Sequence, residues 1–363
     1  MRAAVLREAG AELRIEDVKL SEPESNEVVV RVEAAGVCHT DLHAKDGRYP
    51  VSLPTVLGHE AAGVVEAAGR HVSHVSVGDH VVACSSVFCG VCEHCLGGRP
   101  NRCVNHEATR RGAGAEPRIE VGDEQVHQFF NLSSFAERML VHEHAVVKIP
   151  SAMPLDRAAL LGCSVTTGLG AVFRTAKVRP GDTVAVIGCG GVGLSAVQAA
   201  RIAGANQIIG IDRADAKLVL ARELGATHTV NASAVDPVLE VEKLTSGLGV
   251  HHAFEAVGQP ATTEQAVAML RRGGTATLVG LFPSGAYIQL PGAPFLVDEK
   301  RLQGSKMGSN RFRVDIPRYV DMYLDGRLRL DEMISERIHL DEVNKAFDRM
   351  RTGAHARSVI MMR

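Results

Sequence analysis

The 363-residue chain lacks an excess of charge of either sign: 40 Lys and Arg stand against 42 Asp and Glu, a formal net charge of −2. That balance leaves no electrostatic footprint for nucleic acid or for an anionic membrane surface. An apolar leader is lacking too, since Met1–Ala9 carries Arg2, Arg7 and Glu8 with no hydrophobic run ahead of Glu8. Nor is there a clean membrane-spanning run. The most apolar window, Thr183–Ala200, holds four glycines in six residues and is bounded by Asp182 and Arg201, which suits a strand, a turn and a helix. Internal repeats and low-complexity segments are missing. What remains is an ordinary soluble composition, 45% hydrophobic and 23% charged, in a chain long enough for two domains. Eight cysteines in such a chain point to metal or redox chemistry in a reducing, cytoplasmic compartment rather than to disulfides.

Residues 1–150 read as β-rich, with short runs such as Val28–Val32, Ala61–Ala68 and Asp79–Val82 broken by Gly, Pro, Asn and Asp. Within them, G-V-C-H-T-D-L-H at 36–43 and G-H-E at 58–60 gather Cys38, His39, Thr40, Asp41, His43, His59 and Glu60. A thiol, imidazoles, a hydroxyl and two acids are the groups that ligate a metal and orient its ligands. Cys38 and His59 are the evident ligands of half a catalytic zinc site. Cys84, Cys163 and Cys189 all stay open as a further one.

Cys89, Cys92, Cys95 and Cys103 follow, as two C-x-x-C steps and one C-x7-C step. Four thiolates at that spacing suit one closed tetrahedral zinc, with no position left for water or substrate, so this zinc is structural. The competing readings are a pair of local disulfides, disfavoured by compartment, and a zinc-finger-like binding module, which has no basic stripe to serve. Residues 104–127 are polar and irregular and read as a surface excursion.

From Pro180 the pattern alternates strand and helix. Thr183–Ile187 reads as a buried parallel strand, and G-C-G-G-V-G follows at 188–193, then an Ala-rich helix to about Ala203 and a second strand ending at Asp212. That context makes a dinucleotide site. Gly188 permits the turn, Gly190, Gly191 and Val192 bring backbone to the pyrophosphate, and Gly193 lets helix and strand pack closely. Asp212 would accept hydrogen bonds from the adenosine ribose and repel a 2′-phosphate, so NAD is favoured over NADP. Lys217 is a second candidate at that ribose. Further strands are expected at Thr227–Val230, His252–Glu255 and Thr275–Val279, the last after Gly273-Gly274. After about 307, a helix over 318–325 behind Pro317 and another near Asp341–Met350 read as a return to the first domain.

These motifs, in this order and over nearly the whole length, resemble the zinc-dependent medium-chain alcohol dehydrogenases, and the C-H-T-D form and the cysteine lobe look like the class III branch and its bacterial relatives. The resemblance implies an α/β architecture. A GroES-like β domain over 1–162 and 307–363 carries the structural zinc lobe at about 89–103, and a Rossmann doubly wound parallel sheet spans 163–306. It supplies the third catalytic zinc ligand, Cys163 of L-G-C at 161–163, with the site completed where the two domains meet. It also implies Glu60 behind the metal, Asp41 orienting His59, and two Zn2+ per chain with NAD. In the family's relay the hydroxyl at Thr40 takes the alcohol proton, which passes by the nicotinamide ribose to an imidazole at His43 as hydride moves to NAD+. A class III enzyme is expected to have no histidine at the position of His43, so the relay resembles that of classical alcohol dehydrogenases. His39 and Arg357 match the coenzyme phosphate contacts.

Tyr49, Ser85, Phe129, Phe130 and Leu281, with Thr40, fall where the family lines its alcohol site. A small Ser85 and apolar walls favour medium-chain, aromatic or terpenoid primary alcohols over ethanol. The runner-up activity is a thiol-dependent (glutathione or mycothiol) formaldehyde dehydrogenase, which needs cations at the pocket mouth, with Arg110 and Arg111 in a suitable region. A zinc-free quinone reductase is disfavoured by the two cysteine sets. A homodimer is expected by resemblance, a homotetramer being the alternative, with a small alcohol or aldehyde as substrate and neither nucleic acid nor membrane as partner.

Overall fold

The computed structural model describes residues 1–112, 114–353 and 357–362, in two compact units: Met1–Cys163 with Arg311–Thr352 and the stretch from Arg357 onward, and Ser164–Asn310 with Gly353. Cys163 is thus the last residue of the first stretch, one position past the boundary expected from sequence, and the second unit runs to Asn310 rather than to 306.

The first unit is organised by the strand Glu27–Gly36, whose Val28, Val30 and Val32 are buried. One edge pairs antiparallel with Glu60–Ala68. The other is shared, Arg138–His142 taking its first half and Ser358–Met361 its second. His80–Cys84, Val146–Lys148 and Glu336–His339 complete a seven-stranded sheet. The facing positions Ala35 and Ala61, and Ala34 and Ala62, are small, which lets backbones pack tightly around the far end. Register then does the positioning. Gly36 sits opposite Glu60, and Glu60 opposite Cys84, so the chain just beyond Gly36 and the chain just before Glu60 emerge side by side. That is where Cys38 and His59 lie. A four-stranded sheet of Arg14–Asp17, Arg2–Leu6, Thr55–Val56 and His127–Gln128 shares the hydrophobic core with residues such as Phe135, Met139 and Phe347.

Two expectations for the returning segment need correction. The helix there runs Phe312–Leu324 and contains Pro317 instead of starting behind it. Asp315 accepts the Arg311 amide at 2.7 Å and fixes the helix start, while burial of Phe312, Ile316, Tyr319 and Val320 outweighs the hydrogen bond that Pro317 removes. The last helix spans Val343–Thr352, after a 3-10 turn at Leu340–Glu342.

The second unit is a six-stranded, wholly parallel sheet in the order His228–Asn231, Gln207–Asp212, Thr183–Ile187, Val250–Glu255, Leu270–Leu278, Arg301–Gly304. Strands one to three run outward from the centre on one side and four to six on the other. This is the doubly wound arrangement expected, with its switch point at the carboxyl end of Thr183–Ile187. The strands His228–Asn231 and Val250–Glu255 differ from expectation by one or two residues at an end, and a third departs further. Leu270–Leu278 starts before Gly273-Gly274 and absorbs both glycines in a register break between Val250 and His252. No helix among the described residues is long and apolar enough to cross a membrane.

Candidate active site

Cys38, His59, Glu60 and Cys163 converge in the first unit. All four are buried, and each offers a ligand atom within 4.8 Å of the others. The antiparallel register brings the first three together, and the helix Leu155–Leu160, packed on the same strands, delivers Cys163. Asp41 ties the cluster into one piece. Its Oδ2 accepts the Cys38 amide at 3.1 Å, and its Oδ1 accepts the Gly58 amide at 3.0 Å and faces His59 Nδ1 at 3.0 Å. The imidazole is thereby turned to present Nε2 to the cluster. Gly58 has φ +92, and a Cβ there would lie 2.5 Å from the Phe135 ring, so the G-H-E glycine is required by both backbone and space.

The electrostatics of this cluster call for a cation. A hydrogen bond from Cys163 holds the Cys38 thiol well below the usual thiol range, and the same contact, with burial, pushes Cys163 well above it. Both cannot be thiolates without a positive charge between them. Burial pushes Glu60 up to about 7 despite Arg357, which pairs with its Oε2, and Glu60 Oε1 is buried with no hydrogen-bond partner. Two thiols, an imidazole and an unsatisfied carboxylate oxygen are the donor set of a zinc site, so the residues fit the metal the sequence implies.

The second cluster is Cys89, Cys92, Cys95 and Cys103. Their sulfurs lie 3.5 to 4.0 Å apart in the pairs Cys92–Cys95, Cys89–Cys95 and Cys92–Cys103. That is far beyond a disulfide. It matches the ~3.8 Å edge of a tetrahedron whose centre is ~2.3 Å from each sulfur. The Val91 and Cys92 amides donate to Cys89 Sγ at 3.4 and 3.3 Å, as amides do to metal thiolates. The lobe is anchored where it begins: the Phe88 carbonyl lies 2.7 Å from His144 Nδ1, and the Phe88 ring stacks on that imidazole at 4.6 Å.

In the second unit the glycine turn leaves Thr183–Ile187 at Gly188 and enters the helix Gly191–Ile202, with Gly190 at its N-cap. A Cβ on Gly193 would stand 1.7 Å from the Gly188 carbonyl oxygen, so only glycine allows this packing. Asp212 is fixed by three amides: Cys189 at 2.8 Å on one oxygen, Arg213 at 2.7 Å and Ala214 at 3.0 Å on the other. Val192 and Lys217 sit in the first turns of the two helices that start here, Gly191–Ile202 and Asp215–Glu223. Backbone amides at a helix N-terminus beside a fixed acid suit a dinucleotide.

Comparison with known proteins agrees. Residues 24–151 match the alcohol dehydrogenase GroES-like domain, and residues 191–324 match the zinc-binding dehydrogenase model. An S-(hydroxymethyl)glutathione dehydrogenase of Synechocystis sp. is 38% identical, with 99% of each chain covered. The chain belongs to the zinc-dependent medium-chain alcohol dehydrogenase family. Among solved structures, an alcohol dehydrogenase zinc-binding domain protein from Burkholderia ambifaria superposes with a TM-score of 0.95 at 38% identity, covering 100% of this chain and 98% of that one. Benzyl alcohol dehydrogenase from Acinetobacter calcoaceticus does so at 0.94 and 35%, covering 100% and 99%. The fold is therefore GroES-like plus Rossmann, and the protein is an oxidoreductase whose cofactors are zinc and NAD(P).

The remaining residues expected in this dehydrogenase's site fall as follows. Thr40 and His43 lie three apart on the helix His39–Lys45, hence on one face, with Thr40 Oγ1 3.8 Å from Cys38 Sγ. Burial, with Arg48, holds the half-buried His43 below the usual imidazole range. His39 is exposed at the first position of that helix. Phe130 and Phe129 meet the His59 ring at 5.4 and 5.7 Å, and Tyr49 closes on both at 5.6 and 6.3 Å. Ser85 follows the strand His80–Cys84, while Leu281 is an exposed residue of the second unit. Cys84 and Cys189 are buried and belong to neither metal cluster; burial pushes the Cys84 thiol up to about 11.

Arg357, expected against a coenzyme phosphate, has a buried guanidinium that pairs with Glu60 through one nitrogen and keeps Nε without a hydrogen-bond partner. Arg111 is bonded to Glu27, Ser21 and the Glu22 carbonyl. A cleft of about 640 Å3 over Glu24–Glu27, Arg70, Arg110 and His142 contains none of the metal-binding residues and is not the reaction site.

Proposed function

We propose that the protein oxidises primary alcohols, with a preference for bulky or aromatic ones, reversibly to aldehydes with NAD+. The reading is carried by the Cys38, His59 and Cys163 donor set with an aromatic wall of Phe129, Phe130 and Tyr49 against His59. Bound there, zinc supplies a Lewis acid for the alcohol oxygen, and NAD+ supplies the hydride acceptor. The chain's own groups do the rest. Asp41 fixes the ligands, Glu60 with Arg357 stands behind them, and the Thr40 hydroxyl takes the alcohol proton, which His43 finally delivers to solvent. A His43 held below the usual imidazole range stays neutral, and so able to accept a proton, at neutral pH. The fixed carboxylate of Asp212 supports NAD over NADP, since it repels a 2′-phosphate. Two cysteine sets arranged for metal support a reducing, cytoplasmic compartment, and the family likeness supports a dimer.

A second reading, oxidation of a thiol adduct of formaldehyde, is favoured by the name of the Synechocystis relative. It needs free cations for the thiol's carboxylates: Arg111 is engaged by Glu27, which weighs against it, whereas Arg110 is exposed and pairs with an exposed Glu107. A panel of ethanol, benzyl alcohol and formaldehyde, with NAD or NADP and with or without glutathione or mycothiol, separates the two. Thiol-independent turnover with NAD, best with benzyl alcohol, is expected. Turnover confined to formaldehyde plus thiol overturns the first reading.

A further inference from the structure

The turn that carries the aromatic wall is strained. Phe130 has φ 49, Asn131 φ 63 and Ser133 φ 61, all in the left-handed region. An aromatic residue rarely adopts that conformation, and one held there persists only when its surroundings over-determine it. Those surroundings are explicit. Arg118 Nη1 donates at 2.9 Å to both Asn131 Oδ1 and Gln128 Oε1, on either side of the two phenylalanines. Asn131 Nδ2 donates to the Thr109 carbonyl at 3.1 Å, and Arg118 Nη2 reaches the same oxygen at 3.0 Å. Gln128 Nε2 is fixed in turn by the Leu140 carbonyl at 2.9 Å. The guanidinium cannot swing away, because its Nε donates at 2.7 Å to a buried Glu27 that Arg111 also holds. Arg118, Gln128 and Asn131 bond to none of the metal-binding residues among the described contacts, and the Phe129-Phe130 pair that they flank meets His59.

We propose that Arg118 and Asn131 are specificity-positioning residues, with the excursion at 104–127 serving as the brace that locks the Phe129-Phe130 wall over the alcohol site. This rests on the reading of that site as alcohol-oxidising. Loosening the brace withdraws the wall from a bulky substrate while leaving a two-carbon alcohol, too small to reach it, unaffected.

Asn131→Gly is the informative variant. Glycine adopts a positive φ freely, so the turn survives while both side-chain anchors are lost. On the zinc-loaded enzyme the KM for benzyl alcohol should rise about tenfold, while kcat/KM for ethanol stays within about twofold. Asn131→Asp, which keeps the acceptor for Arg118, should restore most of the benzyl alcohol KM. A crystal structure of Asn131→Gly should show the Phe130 ring displaced with the metal ligands in place. A purely structural role would lower the melting temperature and depress both substrates together, which would overturn the proposal, as would an unchanged benzyl-to-ethanol ratio. Should the parent oxidise neither alcohol, the reading of the site fails on its own. The crystallographic arm still decides the brace, since an unmoved Phe130 ring refutes it.

Discussion

At the residue scale, Asp41 and His43 show how one short helix serves two purposes. Asp41 faces inward and joins the Cys38 amide, the Gly58 amide and the His59 ring. His43, on the same helix, is only half buried. Its pKa is lowered by burial first and by Arg48 second. A neutral imidazole accepts a proton, so the relay should work down to a pH below the ordinary histidine value and fail as His43 protonates. In His43→Gln, kcat/KM for alcohol oxidation should fall about tenfold or more at pH 6, with the gap narrowing toward pH 9 as hydroxide takes over. Zinc content should stay the same. A pH–rate profile that matches the parent's would remove His43 from the relay. The ligand types were legible because thiols and an imidazole at motif spacing have few other uses. The Glu60–Arg357 pair was not, since it joins residues 297 apart in sequence and only the fold makes them neighbours.

At the scale of elements, what the sequence concealed is mostly a matter of irregular backbone. The valine-rich run Val28–Val32 announced the strand Glu27–Gly36, and the glycine turn announced the helix Gly191–Ile202. Nothing local announced that Phe130 is left-handed, that Pro317 sits inside a helix, or that Arg111 and Arg118 close on Glu27, because each depends on a distant partner. The turn after the strand Arg138–His142 offers a test of one such feature. His142 Nδ1 accepts the His144 amide at 3.0 Å, which requires an unprotonated nitrogen, and burial, with His144, pushes its pKa down to about 4. In the unfolded chain it titrates near 6.5, so the unfolded state binds more protons between those values. This contribution to stability is therefore complete above pH ~6.5 and is lost as pH falls toward 4. Replacing His142 by Asn, which can still accept the amide, should recover about 1 kcal/mol of the loss between pH 7 and pH 5 in urea unfolding, the partial burial reducing the full linkage value. An identical decline in parent and variant would contradict it.

At the scale of the whole molecule, the two units carry separate halves of the chemistry. The first gathers every ligand of both metal clusters, including Cys163, and the second holds the glycine turn and Asp212. The division was readable from the switch between strand-rich and alternating patterns, although the chain's return to the first unit after Asn310 was clear only in outline. Cys163 is the ligand farthest in sequence from its partners, and the assignment of the reaction centre depends on it. Zinc per chain and benzyl alcohol turnover, measured on one preparation of Cys163→Ser, test it most directly. One zinc of two should be lost and turnover should fall at least about a thousandfold, with the Cys89–Cys103 site still filled. Two retained zinc ions with turnover near the parent's would contradict the assignment.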